Sequence, residues 1–118
     1  MRSMLIISRQ SPWSGSGARE ALDIALAGGA FELPISLLFL DDGVFQLSPG
    51  QAASCLEQKD LAANLQALPL FGIEAIHVCR HSLLERGLSE GELSIPASVL
   101  DDEALRALIA THDHVICL

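Results

Sequence analysis

The feature that most constrains this chain is the run from Ile35 to Leu40, ISLLFL, which is apolar at almost every position. A strand with one wet face would alternate apolar and polar residues, whereas this run places apolar side chains on both faces. Strands of that kind belong to parallel sheets covered by helices on both sides. The run therefore predicts an α/β fold with a buried, mostly parallel sheet.

Other segments alternate between strand-like and helix-like patterns, the order expected of strands joined by crossover helices. Further short apolar runs predict strands at residues 4–7, 75–79, 93–95 and 115–118. Helical spacing predicts helices over residues 18–26 before Gly28-Gly29, 54–68 before Pro69, 82–86 before Gly87, and from Asp101 or Asp102 through 109. The sequence thus predicts one domain over residues 1–118, a three-layer α/β sandwich around a mostly parallel sheet of about five strands.

The charge balance limits which partners this chain can bind. It has 15 acidic and 7 basic side chains, a net charge of −8, and Lys59 is its only lysine. Such a surface repels phosphates and anionic lipid headgroups, so direct binding to nucleic acid or membranes is not expected. Half of the residues are hydrophobic and only 19% are charged, which leaves apolar surface on a small domain. This composition indicates a subunit that partners cover.

Targeting signals and cysteine usage both favour the cytoplasm. No apolar run approaches the roughly 20 residues of a membrane span, and residues 4–7, followed soon by Arg9, are too few for a signal peptide. The cysteines Cys55, Cys79 and Cys117 are odd in number and widely spaced. Neither a zinc knuckle, a redox dithiol nor a disulfide framework is therefore expected.

Cys79 is the strongest candidate for chemistry. It ends a predicted strand, precedes a short predicted helix, and is followed by Arg80 and His81. A helix N-terminus and nearby cations favour the thiolate, the form of cysteine that attacks sulfane sulfur or carries a persulfide. The alternative is a structural cysteine, because free cysteine is among the most buried residue types. Cys55 and Cys117, within helix and strand patterns, are weaker candidates.

Metal and cofactor sites have little support in the sequence. His77, Cys79 and His81 would share one face only if the strand continued beyond Cys79, and residues 112–114, HDH, fit a solvated turn. The stretch 14–17, SGSG, partly resembles a dinucleotide-binding loop, but a glutamate stands at the third glycine position and opposes a pyrophosphate. No metal and no cofactor are expected.

The stretch from Asp42 to Gln51, DGVFQLSPGQ, is predicted to be a loop of unusual composition. It places Val44, Phe45 and Leu47 between turn-forming residues. Apolar side chains in a loop either fold back onto the core or cover a partner. Composition alone does not separate these two interpretations.

The same stretch resembles the signature of the TusC family, also called DsrF. Residues 78–88, VCRHSLLERGL, resemble that family's Val-Cys followed by Ser-Leu-x-Glu-Arg-Gly-Leu. Residues 17–23, GAREALD, resemble its first helix, with Ala21 where glycine is common. The resemblance covers the whole length of the chain, and it implies the DsrE/F-type α/β fold.

The resemblance also implies partners and a function. TusC-like chains assemble with TusB-like and TusD-like subunits into a heterohexamer, a dimer of TusBCD trimers. Such a complex relays persulfide sulfur from a TusA-like to a TusE-like protein, towards 2-thiolation of the wobble uridine of tRNA. In sulfur-oxidising bacteria the related DsrEFH complex serves dissimilatory sulfur metabolism.

Within such a complex the sulfur-carrying cysteine is generally assigned to the TusD/DsrE subunit. The resemblance therefore implies a structural and interaction role for this chain, accessory to a sulfurtransferase. We expect Val44, Phe45, Gln46 and Leu47 to contact partner subunits. Two alternatives stay open: Cys79 itself carries persulfide, or the chain serves a DsrEFH-type complex.

Overall fold

The computed structural model describes residues 3–10, 17–30, 34–47, 66–73, 75–88, 93 and 97–118. Its five strands are β1 (Met4–Ser8), β2 (Ile35–Phe39), β3 (Ala75–Cys79), β4 (Ser98–Leu100) and β5 (His114–Cys117). Neighbouring strands all pair in parallel, in the order β4-β3-β2-β1-β5. The predicted parallel α/β sheet is confirmed.

The fourth strand lies later in the chain than the sequence predicts. A strand was expected at residues 93–95, but Leu93 is in no strand, and 94–95 lie outside the described residues. The observed strand, β4, has only three residues and follows Ala97. A run of three residues is too short for its periodicity to be recognised.

The α-helices are α1 (Gly17–Ala30), α2 (Arg80–Glu85) and α3 (Asp102–Ala110), and 3-10 helices span Asp41–Leu47 and Leu68–Phe71. In these ranges no helix is long and apolar enough to cross a membrane. Asp101 caps α3, as predicted, because its Oδ1 accepts a hydrogen bond from the backbone N–H of Ala104 at 2.8 Å. Most of the predicted helix 54–68 lies outside the described residues.

Two predicted boundaries were wrong. The helix α1 continues through Gly28 and Gly29, which are buried, so packing outweighs the cost of about 1 kcal/mol for each helical glycine. In addition, α2 begins at Arg80, directly after β3.

The predicted end of a helix before Pro69 agrees with the structure to within a residue, since Gln66 and Ala67 are helical and a 3-10 helix begins at Leu68. Pro69 lies in the first turn of that 3-10 helix, where its missing N–H costs nothing. Gly72, with a positive φ of 81°, ends the 3-10 helix.

The two faces of the sheet are covered unequally. On one face, here called the α1 face, side chains from the strands pack against α1, α2 and both 3-10 helices. This main core contains Ile6, Ala21, Leu22, Ala25, Ile35, Leu37, Phe39, Val44, Leu47, Leu68, Ile73, Ile76, Val78 and Leu83. On the other face, the α3 face, the described residues Leu5, Ile7 and Leu38 form a smaller buried cluster, with Leu105 and Leu108 of α3 packed against it.

The order of the strands explains this difference. The chain passes from β1 through β2 and β3 to β4 in one direction, and the last connection returns to the far edge for β5. Because crossovers between parallel strands are right-handed, a reversed direction places the connecting helix on the opposite face. That helix is α3, and none of its residues is buried. A helix with its side chains is about 10–12 Å wide, whereas five strands extend about 19 Å across a sheet.

Candidate functional site

The carboxyl ends of all five strands lie at one edge of the sheet, because the strands are parallel. This edge is where α/β folds of this type bind ligands. Arg9 directly follows β1, and Asp41 is separated from the end of β2 by one residue. Cys79 ends β3 and Cys117 ends β5. The structure therefore brings the predicted thiol and the predicted apolar stretch to the same edge.

Cys79 is at the predicted place but is not accessible. It is the last residue of β3 and the N-cap of α2, and only 4% of its surface is exposed. Its side chain makes no capping hydrogen bond, and α2 is only six residues long. His81, expected to add positive charge, is exposed and forms an ion pair with Glu85 instead. Burial favours the structural interpretation, and the sulfur-carrier role of Cys79 stays a prediction.

The predicted loop at residues 41–47 is a 3-10 helix joined tightly to the sheet. Asp41 has a left-handed backbone with φ 51°, and its N–H donates to Ser82 Oγ of α2 at 3.0 Å. Gly43 lies against the end of β1, where an added Cβ would come within 2.0 Å of the carbonyl oxygen of Ser8. Only glycine fits there, because the atom that a side chain would meet belongs to the backbone. The motif thus shapes the edge of the sheet.

Three of the four predicted interface residues are buried within this chain. Val44 and Leu47 are fully buried in the main core. Gln46 is 6% exposed, and its Nε2 donates to Ser8 Oγ at 2.7 Å and to the backbone oxygen of Gln10 at 3.0 Å. Of the four, only Phe45 is half-buried. The interface role stays a prediction, and Phe45 is the side chain best placed to fill it.

Two ion pairs hold the 3-10 helix to its surroundings. Arg9 Nε donates to Asp41 Oδ2 at 2.9 Å, which links the end of β1 to the end of β2. Arg86 Nε donates to Asp42 Oδ1, also at 2.9 Å. Consecutive aspartates at the end of β2 are therefore both neutralised by arginine. These two arginines are therefore engaged by aspartates and are not free to bind an anion.

Cys117 is the residue that the sequence analysis undervalued. It is exposed, and its Sγ is 3.9 Å from Nη1 of Arg9. The hydrogen bond to Cys117 and the contacts with Asp41 raise the pKa of Arg9 above its ordinary value. A strand at the edge of a sheet has a neighbouring strand on one side only, so its side chains are less covered. The sequence does not show that β5 is the edge strand. The interpretation of Cys117 as an ordinary strand residue therefore overlooked its exposure.

The two described cysteines cannot form a disulfide with each other. Both are free, and β3 and β5 are separated by β2 and β1. Strand spacings of about 4.8 Å place β3 and β5 about 14 Å apart. A disulfide requires Cα atoms within roughly 7 Å. Cys55 lies outside the described residues.

The histidines are not arranged as a metal site. His77 lies in β3 and His81 in α2, while His112 precedes β5 and His114 begins it. In the part of the chain that the structure describes, no three metal-binding side chains come together. The glycine-rich stretch 14–16 lies outside that part, and Gly17 begins α1.

The chain is similar to known proteins over nearly its whole length. Residues 2–118 match the model of the DsrE/DsrF-like family. The chain belongs to this family. It is 64% identical over 117 residues to a protein called "Protein TusC homolog" from Pseudomonas aeruginosa, covering 99% of this chain and 98% of that one. It is also 36% identical over 109 residues to a protein of the same name from Vibrio vulnificus, covering 92% of both chains.

A solved structure confirms the fold. The crystal structure of the YchN protein from E. coli superposes with a TM-score of 0.81 over 100% of both chains. The two sequences are 19% identical, so this likeness concerns the fold alone. The expected DsrE/F-like fold and TusC-like membership are both confirmed by these comparisons.

Proposed function

We propose that this chain is a subunit of a Tus-type sulfur-relay complex in the cytoplasm. The complex contains TusB-like and TusD-like subunits in a heterohexamer. It passes persulfide sulfur from a TusA-like to a TusE-like protein, towards 2-thiolation of the tRNA wobble uridine. The observation that carries this proposal is the 64% identity, over nearly the full length of both chains, to a protein called a TusC homolog.

Within that complex we assign the chain a structural and interaction role. Cys79 is 4% exposed, and a thiol that exchanges sulfur must be reached by a second sulfur atom. The described hydrogen bonds and ion pairs at the carboxyl edge of the sheet join β1, β2 and α2 to one another. A net charge of −8 also disfavours contact between this chain and tRNA. These features support a chain that shapes a neighbour's site.

The test begins with co-expression of the chain and its TusB-like and TusD-like neighbours. Light scattering during size exclusion will measure the mass of the assembly, with the chain expressed alone as the comparison. We expect a complex of all three subunits. The chain alone should self-associate or be poorly soluble. A stable, dispersed monomer at micromolar concentration, with no co-purification, would contradict the subunit assignment.

The role of Cys79 is tested in the same complex. After loading with a sulfur donor, persulfides are trapped by alkylation on each subunit and identified by mass spectrometry. We expect Cys79→Ser to assemble normally and to lose only part of the relay, with Cys117→Ser as the matched control. Stoichiometric persulfide at Cys79, with transfer abolished in Cys79→Ser, would show instead that this chain is itself a sulfurtransferase.

A further inference from the structure

Two histidines lie on the α3 face of the sheet. His77 is in the middle of β3, level with Leu38 of β2 in the strand register, and Leu38 packs against α3. His112 follows α3 and contacts two elements. Its Nδ1 is 2.7 Å from the backbone oxygen of Leu108, and its Nε2 is 2.9 Å from Ser36 Oγ. His112 therefore connects the last turn of α3 to β2.

These partners fix how neutral His112 carries its proton. The carbonyl oxygen of Leu108 can only accept, so Nδ1 must be the donor. In the neutral ring Nε2 then accepts, and the hydroxyl of Ser36 donates to it. Both hydrogen bonds are satisfied while His112 is neutral.

His77 is poorly suited to carry a charge. Its Nδ1 is buried and has no hydrogen-bond partner. A neutral imidazole tolerates this by leaving Nδ1 unprotonated, whereas protonation would place a buried N–H and a positive charge there without an acceptor. Burial lowers the pKa of His77, and the nearby His112 lowers it further.

Among the described residues, little offsets a positive charge on His77. The charged side chains of α3 are all exposed to solvent, namely Asp102, Glu103 and Arg106. Asp113, next to His112, accepts a hydrogen bond from the backbone N–H of Ser3 at 2.9 Å. The described strands β2 and β4 contain no titratable side chain. On β3, the only other titratable group is the buried Cys79.

We propose that His77 and His112 form an acid-sensitive latch that holds α3 against the sheet at neutral pH, through the hydrogen bonds of His112, and releases it when His77 is protonated. A positive ring with a buried N–H and no acceptor is unfavourable at His77, and release lets that ring reach water. The released form binds more protons than the docked form. Docking is therefore fully stable above the ordinary histidine pKa of about 6.5 and weakens as the pH falls through the lowered pKa of His77.

Hydrogen exchange at about pH 7.5 and about pH 5.5 tests this latch on the full chain, in the assembly in which it purifies. These experimental settings lie about one unit on either side of the ordinary histidine pKa. After correction for the intrinsic exchange rate, we expect amides of α3 and of the 111–113 segment to lose protection at the lower pH. Amides of α1 should keep their protection. His77→Gln should remove most of the difference, and His114→Gln, at an exposed position in β5, should leave it unchanged.

A second variant keeps the result decisive if His77→Gln does not fold. His112→Gln removes the ring that bridges Leu108 and Ser36, so α3 should be less protected at both pH values and the pH dependence of its protection should be smaller. Equal loss of protection in α1 and α3 of the unmodified chain would overturn the latch, since acid would then act on the whole fold. An unchanged pH dependence in both variants would overturn it too.

Discussion

The two faces of the sheet differ although the same five strands form both. The α1 face carries a core of fully buried side chains from strands, helices and both 3-10 helices. In the part of the chain that the structure describes, the α3 face is crossed by one helix with no buried residue, and beside it Val115 of β5 is 43% exposed. The difference shows that one face stabilises the fold and that the other is left with apolar surface. This arrangement suits a chain that works as a subunit.

The largest expected effect is on the α1 face. Leu37→Ala removes a side chain that is 1% exposed, so it should lower the free energy of unfolding by about 2–5 kcal/mol. Leu105→Ala, its counterpart on α3, removes a half-buried side chain and should cost about 1 kcal/mol. Denaturant unfolding measures both variants. Equal losses would mean that the two faces contribute alike.

The contact between the 3-10 helix and β1 is expected to tolerate no added atom. Gly43→Ala brings a methyl group against the carbonyl of Ser8, and overpacking of this kind costs about 1–3 kcal/mol. Gly72→Ala is the matched control, because that glycine has a positive φ but open space around it. It should cost about 1 kcal/mol from backbone strain alone. If thermal melts rank the two variants in the reverse order, the close approach at Gly43 is not what constrains this position.

Adjacent residues of the 3-10 helix should respond differently to truncation. Val44→Ala should lower the free energy of unfolding by about 1–2 kcal/mol, because Val44 is fully buried in the main core. Phe45→Ala should cost less stability but weaken assembly by more than about 1 kcal/mol if the half-buried ring anchors a partner. Melting and co-purification are measured on both. Full assembly of Phe45→Ala with a large drop in melting temperature would assign Phe45 to the core.

The smallest expected effect concerns the reactivity of the cysteine thiols and leaves the stability of the fold unchanged. Cys79 and Cys117 both lie on the α3 face in the strand register, yet only Cys117 is exposed. A maleimide should therefore modify Cys117 rapidly and Cys79 slowly in the native chain, and both at similar rates in denaturant. Peptide mapping by mass spectrometry reads each cysteine separately. Rapid native modification of Cys79 would show that the α3 face opens at β3.

The sequence predicted the sheet better than it predicted the site. The run from Ile35 to Leu40 is apolar on both faces, and that property alone requires a covered parallel strand. The 3-10 helix was predicted as a loop because Gly43 and the aspartates are turn-forming residues, while the contact with Ser8 that requires glycine joins distant parts of the chain. The exposures of Cys79 and Cys117 depend on strand order, which local patterns do not encode.

The pairing of β1 with β5 also has a consequence for how the chain folds. Met4 is in register with His114, whereas β1 with β2, β2 with β3, and β3 with β4 join consecutive strands. Closing a loop becomes less favourable as its length grows, and contacts between distant residues slow folding. We therefore expect the addition of β5 to complete the sheet last. Until that step, β1 is an edge strand, and its unpaired backbone groups are open to pairing with another chain.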